Sequence, residues 1–161
     1  KFGYDVSDIA ALYLVNHLFN WAFAERIGAW VGKVGERRAL TFEYCGLICV
    51  FTAYAFVSDA KWAAALYILD HLFFSLAIAI KTYFQKIADP ADIASTAGVA
   101  FTINHIAAVV IPVIFGLIWL VSPSAVFLIG AAMVVVSLIL AQNIPVNPYE
   151  GNEVLIGKVP V

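Results

Sequence analysis

Five long apolar stretches, set apart by short polar connections, dominate this chain of 161 residues. A helix needs about 20 mostly apolar residues to cross the hydrocarbon of a bilayer. Segments at about 6–32, 40–57, 62–84, 93–121 and 124–142 meet or approach that length. Backbone groups in lipid must be hydrogen-bonded within their own segment, so each stretch is read as a helix. The roughly ten-residue alternating segments of a membrane barrel are absent. The chain is 63% hydrophobic and 12% charged, against about half and a quarter in a soluble domain. A soluble domain of this length leaves about a third of its unfolded-chain surface in water, so lipid must cover what a core cannot. The expected fold is all-α, a multi-pass transmembrane bundle of five helices within residues 1–142, with 143–161 as a flexible polar tail.

Other features narrow the reading. The net charge of -2 carries no nucleic-acid signal. Cys45 and Cys49 sit four apart in an apolar run and read as small buried or lipid-facing residues. The chain opens Lys1-Phe2-Gly3-Tyr4-Asp5 with neither Met nor a signal peptide, as a piece beginning in a loop would. Lys33, Arg37 and Arg38 follow the first span, and Lys81 and Lys86 flank the end of the third; the alternate connections offer only Lys61. By the positive-inside rule the basic connections and the tail face the cytoplasm of a plasma or inner membrane.

Polar residues in the middle of spans need a reason, since a central charge costs about 2.5–3.5 kcal/mol on insertion scales. All three histidines sit there, each after Asn or Asp: Asn16-His17, Asp70-His71 and Asn104-His105. An aromatic residue precedes each pair by three positions: Tyr13, Tyr67 and Phe101. At about 100° per residue each set falls within an arc of about 100°, and Asn20 joins the first. The cores of the second and fifth spans lack Asp, Lys, Arg and His, and Glu43 is close enough to its end to reach the boundary. The first, third and fourth spans are therefore expected to line a wet interior, and the other two to face lipid. Imidazoles titrate near physiological pH and can carry protons or bond a substrate. Asp70 is the strongest proton-coupling candidate. Tyr13, Tyr67 and Phe101 would stack on an organic solute or pack as core aromatics. Static interhelical hydrogen bonding and metal or haem ligation by the histidines are the competing readings. Glu25 lies on the face opposite Asn16 and reads as an interhelical or gating contact; Arg26 and Lys81 can snorkel to the interface.

The first span ends Gly28-Ala-Trp-Val-Gly32-Lys33-Val-Gly35-Glu36-Arg37-Arg38. This resembles the loop motif of the major facilitator superfamily, roughly G-x-x-x-D-R-x-G-R-R, between the second and third helices of each six-helix half. Here Gly32 stands for the family's Asp, Lys33 for its Arg and Glu36 for an Arg. Small residues suit close helix approach and Gly35 a tight turn. The resemblance places the chain as the family's eighth to twelfth helices, the eighth, tenth and eleventh flanking the cavity. Pro112 and Gly116 in the fourth span suit a helix that bends.

The resemblance implies a secondary transporter moving a small solute by alternating access, coupled to protons or another ion and completed by an N-terminal half. Asn16, His17, Asn20, Asp70, His71, Asn104 and His105 would then contact substrate or protons. Gly28, Gly32, Lys33, Gly35, Arg37 and Arg38 would form a cytoplasmic gating loop. No cofactor motif and no nucleophile–base arrangement is present, so no enzyme is expected. A non-transporting membrane scaffold is the alternative.

Overall fold

The computed structural model describes residues 3–157. Six α-helices follow one another: α1 (Val6–Val34), α2 (Glu36–Phe56), α3 (Ala60–Phe74), α4 (Ile78–Ile87), α5 (Ile93–Val121) and α6 (Pro123–Ala141). A 3₁₀ turn at Ser75–Ala77 joins α3 to α4, so the two form one interrupted span. Among the described residues four segments are long and apolar enough to cross a membrane: Glu36–Phe56, Ala60–Ile87, Ile93–Val121 and Pro123–Ala141. The protein is thus an all-α membrane bundle. α1 has the length, at 29 residues, but is too polar to qualify on composition.

Local chemistry sets the helix ends. Asp5 caps α1 by accepting from the Asp8 amide at 2.9 Å, and the Asp8 carboxylate bonds back to the Asp5 amide, a capping box. Asp59 caps α3 through the Lys61 amide at 2.7 Å. Ser122 caps α6, with Pro123 at its first position. A single residue, Gly35, separates α1 from α2; its φ of 85° and ψ of 154° lie in a region that glycine alone occupies comfortably. The interruption in the third span falls at a serine. Ser75 Oγ donates to the Leu72 carbonyl at 2.6 Å, a back-bond that competes with the helix ladder. α5 continues as helix through Pro112, the position expected to bend.

The second span was expected to lie outside and face lipid. Instead α2 is the central helix, packed most extensively on α6 and also on α3, α4 and α1. Only one stripe of α2 faces outward: Arg38, Phe42, Cys45, Cys49, Thr52, Ala53 and Phe56. The opposite face is buried, with Ala39 and Leu40 joining Val31 of α1, Leu76 and Ala79 of the third span, and Ile144. Glu43 lies on that buried face at 2% exposure, not at the boundary. At Gly46 the packing is tightest: a Cβ there would meet the Phe73 ring at 2.3 Å. Close approach was expected instead at Gly28 and Gly32, but neither has a neighbouring atom within 4 Å of a built Cβ.

Residues 143–157, expected to be flexible, fold back over the end of α2, α4 and α6. Asn143 pairs through its side-chain amide with both backbone groups of Ile156, at 2.7 and 3.0 Å. The Leu155 amide donates to the Asn143 carbonyl at 2.9 Å, and the Tyr83 hydroxyl donates to the Glu153 carbonyl at 2.5 Å. The reason is local: an Asn side chain mimics a strand partner, and Ile144 supplies an apolar anchor. The last four positions of the expected tail, 158–161, and Lys1 and Phe2 lie outside the described residues.

Glycine at position 46 is predicted to be required by the α2–α3 contact. Gly46→Ala should destabilise the protein by about 1–3 kcal/mol, the usual effect of overpacking. Gly130→Ala, where the added Cβ meets Phe51 at an ordinary 3.4 Å, should be tolerated. Thermal unfolding of both variants in detergent tests the contrast.

Candidate functional site

α1 and α3 run side by side, and their expected polar stripes meet. Asn16 is buried at 4% exposure on α1 and lies against the Tyr67 hydroxyl of α3. The Asn16 amide nitrogen and the Tyr67 hydroxyl are both buried without a properly formed hydrogen bond. Such groups are rare in folded proteins and mark unmet bonding capacity. Tyr13 meets Tyr67 edge-to-face with ring centroids 5.9 Å apart. Along α3, the His71 ring packs on Tyr67 at 4.4 Å, its Nδ1 lying 3.1 Å from the Tyr67 carbonyl and 3.5 Å from the Asp70 carboxylate. Asp70 is half-buried and close enough to Tyr54 of α2 and to Tyr67 to act on their hydroxyls electrostatically. A cleft of about 200 Å³ opens beside this group, lined by Tyr4, Tyr13, Tyr54 and Tyr67 with Ile9 and Leu12 among its apolar walls.

The remaining candidates stand apart. His17 is exposed and Asn20 half-buried on α1. α5 packs on α6, and none of its residues is buried. Asn104 and His105 are exposed, and Phe101, 64% exposed, stacks on its own helix neighbour His105 at 3.9 Å. Of the three stripes expected to share a pocket, those of α1 and α3 therefore meet, beside Tyr54 of α2, and the α5 stripe does not join them. Among the described residues no group of three His, Cys, Asp or Glu side chains is placed to hold a metal ion.

The basic loop is a second focus. Arg37 reaches Gln142 of α6, both its Nε and an Nη lying 3.4 Å from the amide oxygen, while the Gln142 amide donates to Thr41 at 2.9 Å. Lys33 and Arg38 are exposed. Glu36, which stands where the related loop motif has an Arg, was not among the expected site residues. It is 2% exposed and pairs with Lys86 of α4 at 2.6 Å. Its signal in the sequence was its position: an acid at the start of α2, facing an end of the third span that carries Lys86. Glu25, expected to make an interhelical contact, is exposed, and Arg26 lies over the Phe23 ring of its own helix at 5.7 Å.

Over 128 residues the chain is 25% identical to an uncharacterized MFS-type transporter of Methanocaldococcus jannaschii. The match spans 79% of this chain but only 32% of the relative. The similarity points to a relation with the major facilitator superfamily. No protein-family model matches the chain, and no solved structure matches it. Together with the four apolar helices among the described residues, the similarity supports a multi-pass membrane protein.

The Glu36–Lys86 pair is predicted to fasten α2 to α4. Lys86→Ala leaves a buried carboxylate without its cation, a loss of about 3–5 kcal/mol where both partners are buried. Lys86 is half-exposed, so solvent screening places this pair below that range. Glu36→Gln together with Lys86→Gln should recover part of the loss, and a double-mutant cycle in thermal unfolding measures it.

Proposed function

We propose that this chain is the C-terminal part of a proton-coupled secondary transporter of the major facilitator type, corresponding to that family's eighth to twelfth helices. The observation that carries the reading is the α1–α3 junction, where buried Asn16 lies against the buried hydroxyl of Tyr67 with neither group's hydrogen bonding well formed, next to an aromatic cleft. A polar solute with an apolar face fits that chemistry: the amide and phenol bond it, and the tyrosine rings stack on it. Asp70 and His71 supply a carboxylate and an imidazole 3.5 Å apart, a pair that can exchange a proton as the solute binds or leaves.

In this reading α1 spans the membrane despite its polarity, because its polar side lines water. The exposed Asn104, His105 and Phe101 of α5, with His17, would complete the cavity against helices of the N-terminal half. The basic loop and the tail would face the cytoplasm, and the Arg37–Gln142–Thr41 net and the Glu36–Lys86 pair would hold the cytoplasmic end of this half together as it rocks. The relative's greater length accommodates such a half.

The test uses the full-length protein in liposomes loaded with a pH-sensitive dye. Solutes of different classes (sugars, amino acids, carboxylates, organic cations) are added outside. At least one class should move protons with the natural protein and fail to do so with Asp70→Asn, whose thermal unfolding should stay near that of the natural protein. If no class moves protons, and Asp70→Asn instead loses stability or partner assembly, the protein is a scaffold with a static polar core.

A further inference from the structure

The most buried side-chain carboxyl among the described residues has no cation. Glu43 sits on α2 at 2% exposure, and its Oε2 is buried without a hydrogen-bond partner. Seven residues separate it from Glu36, so the two share a face of α2 about 10 Å apart. Glu36 is held by Lys86 on α4. Three residues from Glu43 on its other side, Gly46 lies under the Phe73 ring at the end of α3. Between these fixed points α2 packs on residues 73–79, the stretch that contains the 3₁₀ interruption. Leu76 and Ala79 of that stretch are buried in the same core as Ala39 and Leu40.

The charges around it do not compensate a carboxylate. From α4, Lys86 is committed to Glu36 and Lys81 is exposed; Tyr83 bonds the tail. From α1, Glu25, Arg26 and Lys33 are exposed. From α3, Asp70 and His71 pair with each other, and Lys61 is exposed at the far end. α6 has no ionisable residue. On α2 itself Arg37 faces Gln142, Arg38 is exposed, and Tyr44 is a neutral phenol beside Glu43. An unpaired carboxylate in such a place is strongly disfavoured, whereas a carboxylic acid is a neutral group that an apolar interface tolerates far better.

We infer that Glu43 is a proton-binding site that controls how α2 packs on the 3₁₀ interruption of the third span. With the proton bound, the neutral side chain fits the apolar interface. When the proton leaves to water, the charge that remains drives the interface open at residues 73–79. This site is separate from Asp70 and does not depend on the transport reading.

The experiment is hydrogen exchange of the purified full-length protein, read at peptides covering residues 72–80 and corrected for intrinsic rates, in neutral and alkaline buffer. The natural protein should lose protection there in alkali, and Glu43→Gln, which keeps the neutral shape, should not. Asp70→Asn should behave as the natural protein does. Infrared spectra at neutral pH should show an un-ionised carboxyl band that is lost in Glu43→Gln. The inference is overturned if the natural protein keeps its protection at 72–80 in alkali, if Asp70→Asn abolishes the loss, or if the band lost in Glu43→Gln is that of an ionised carboxylate. The first of these requires no variant, so a misfolded Glu43→Gln does not rescue the idea.

Discussion

A backbone amide in hydrocarbon has no solvent to bond, and every long apolar stretch of this chain accordingly becomes a helix. That constraint settles secondary structure but leaves little to hold one helix to another, because lipid tails are as apolar as the side chains they would replace. Association then depends on fit and on the few polar groups. Here both are concentrated on α2. Its Gly46 admits Phe73 of α3. Its Glu36 holds α4, and its Thr41 and Arg37 hold Gln142 at the end of α6. A helix without a histidine or an aspartate is the one around which the others are placed.

That is also where sequence reasoning was weakest. Hydropathy and loop length are local properties, and they were enough to read an all-α membrane bundle. Which helix sits in the middle is a pairwise property. The second span looked lipid-facing because charge was taken as the mark of an interior face. Its interior face is instead marked by small residues, Ala39, Gly46 and Ala55, and by Glu36 and Glu43, whose burial no periodicity distinguishes from exposure at a helix end. Composition likewise describes a segment without its partners: nothing in residues 143–157 alone shows that Tyr83 bonds Glu153 or that Asn143 bonds Ile156.

The candidate site was half legible. The aromatic–Asx–His pattern located Tyr13 and Asn16 on α1 and Tyr67, Asp70 and His71 on α3, and these residues do come together. The same pattern on α5 gave Phe101, Asn104 and His105, which stay exposed because α5 packs on α6 alone among the closely packed helices of this chain. A helical stripe states which side of a helix is polar. It cannot state which neighbour that side meets. Tyr54 and Tyr4 were invisible for the opposite reason: each is a lone tyrosine near a span end, and only the packing brings them to the cleft.

The two ends of the bundle are fastened by different chemistry. At the basic end the helix-to-helix contacts are charged or amide-bearing: Glu36 with Lys86, and Arg37 and Thr41 with Gln142. At the opposite end they are hydroxyls donating to carbonyls: Tyr4 to Ala60, Tyr54 to Ala63 and Ser124 to Ala55, the last at 2.6 Å. Between the ends lie the groups whose bonding is incomplete, Asn16, Tyr67 and Glu43. A bundle tied at both ends and polar but unsatisfied in its middle concentrates its unmet interactions at mid-depth. Ionic strength acts on only one of the two fastenings, since salt screens the half-exposed Lys86 and leaves neutral hydroxyl–carbonyl bonds unchanged.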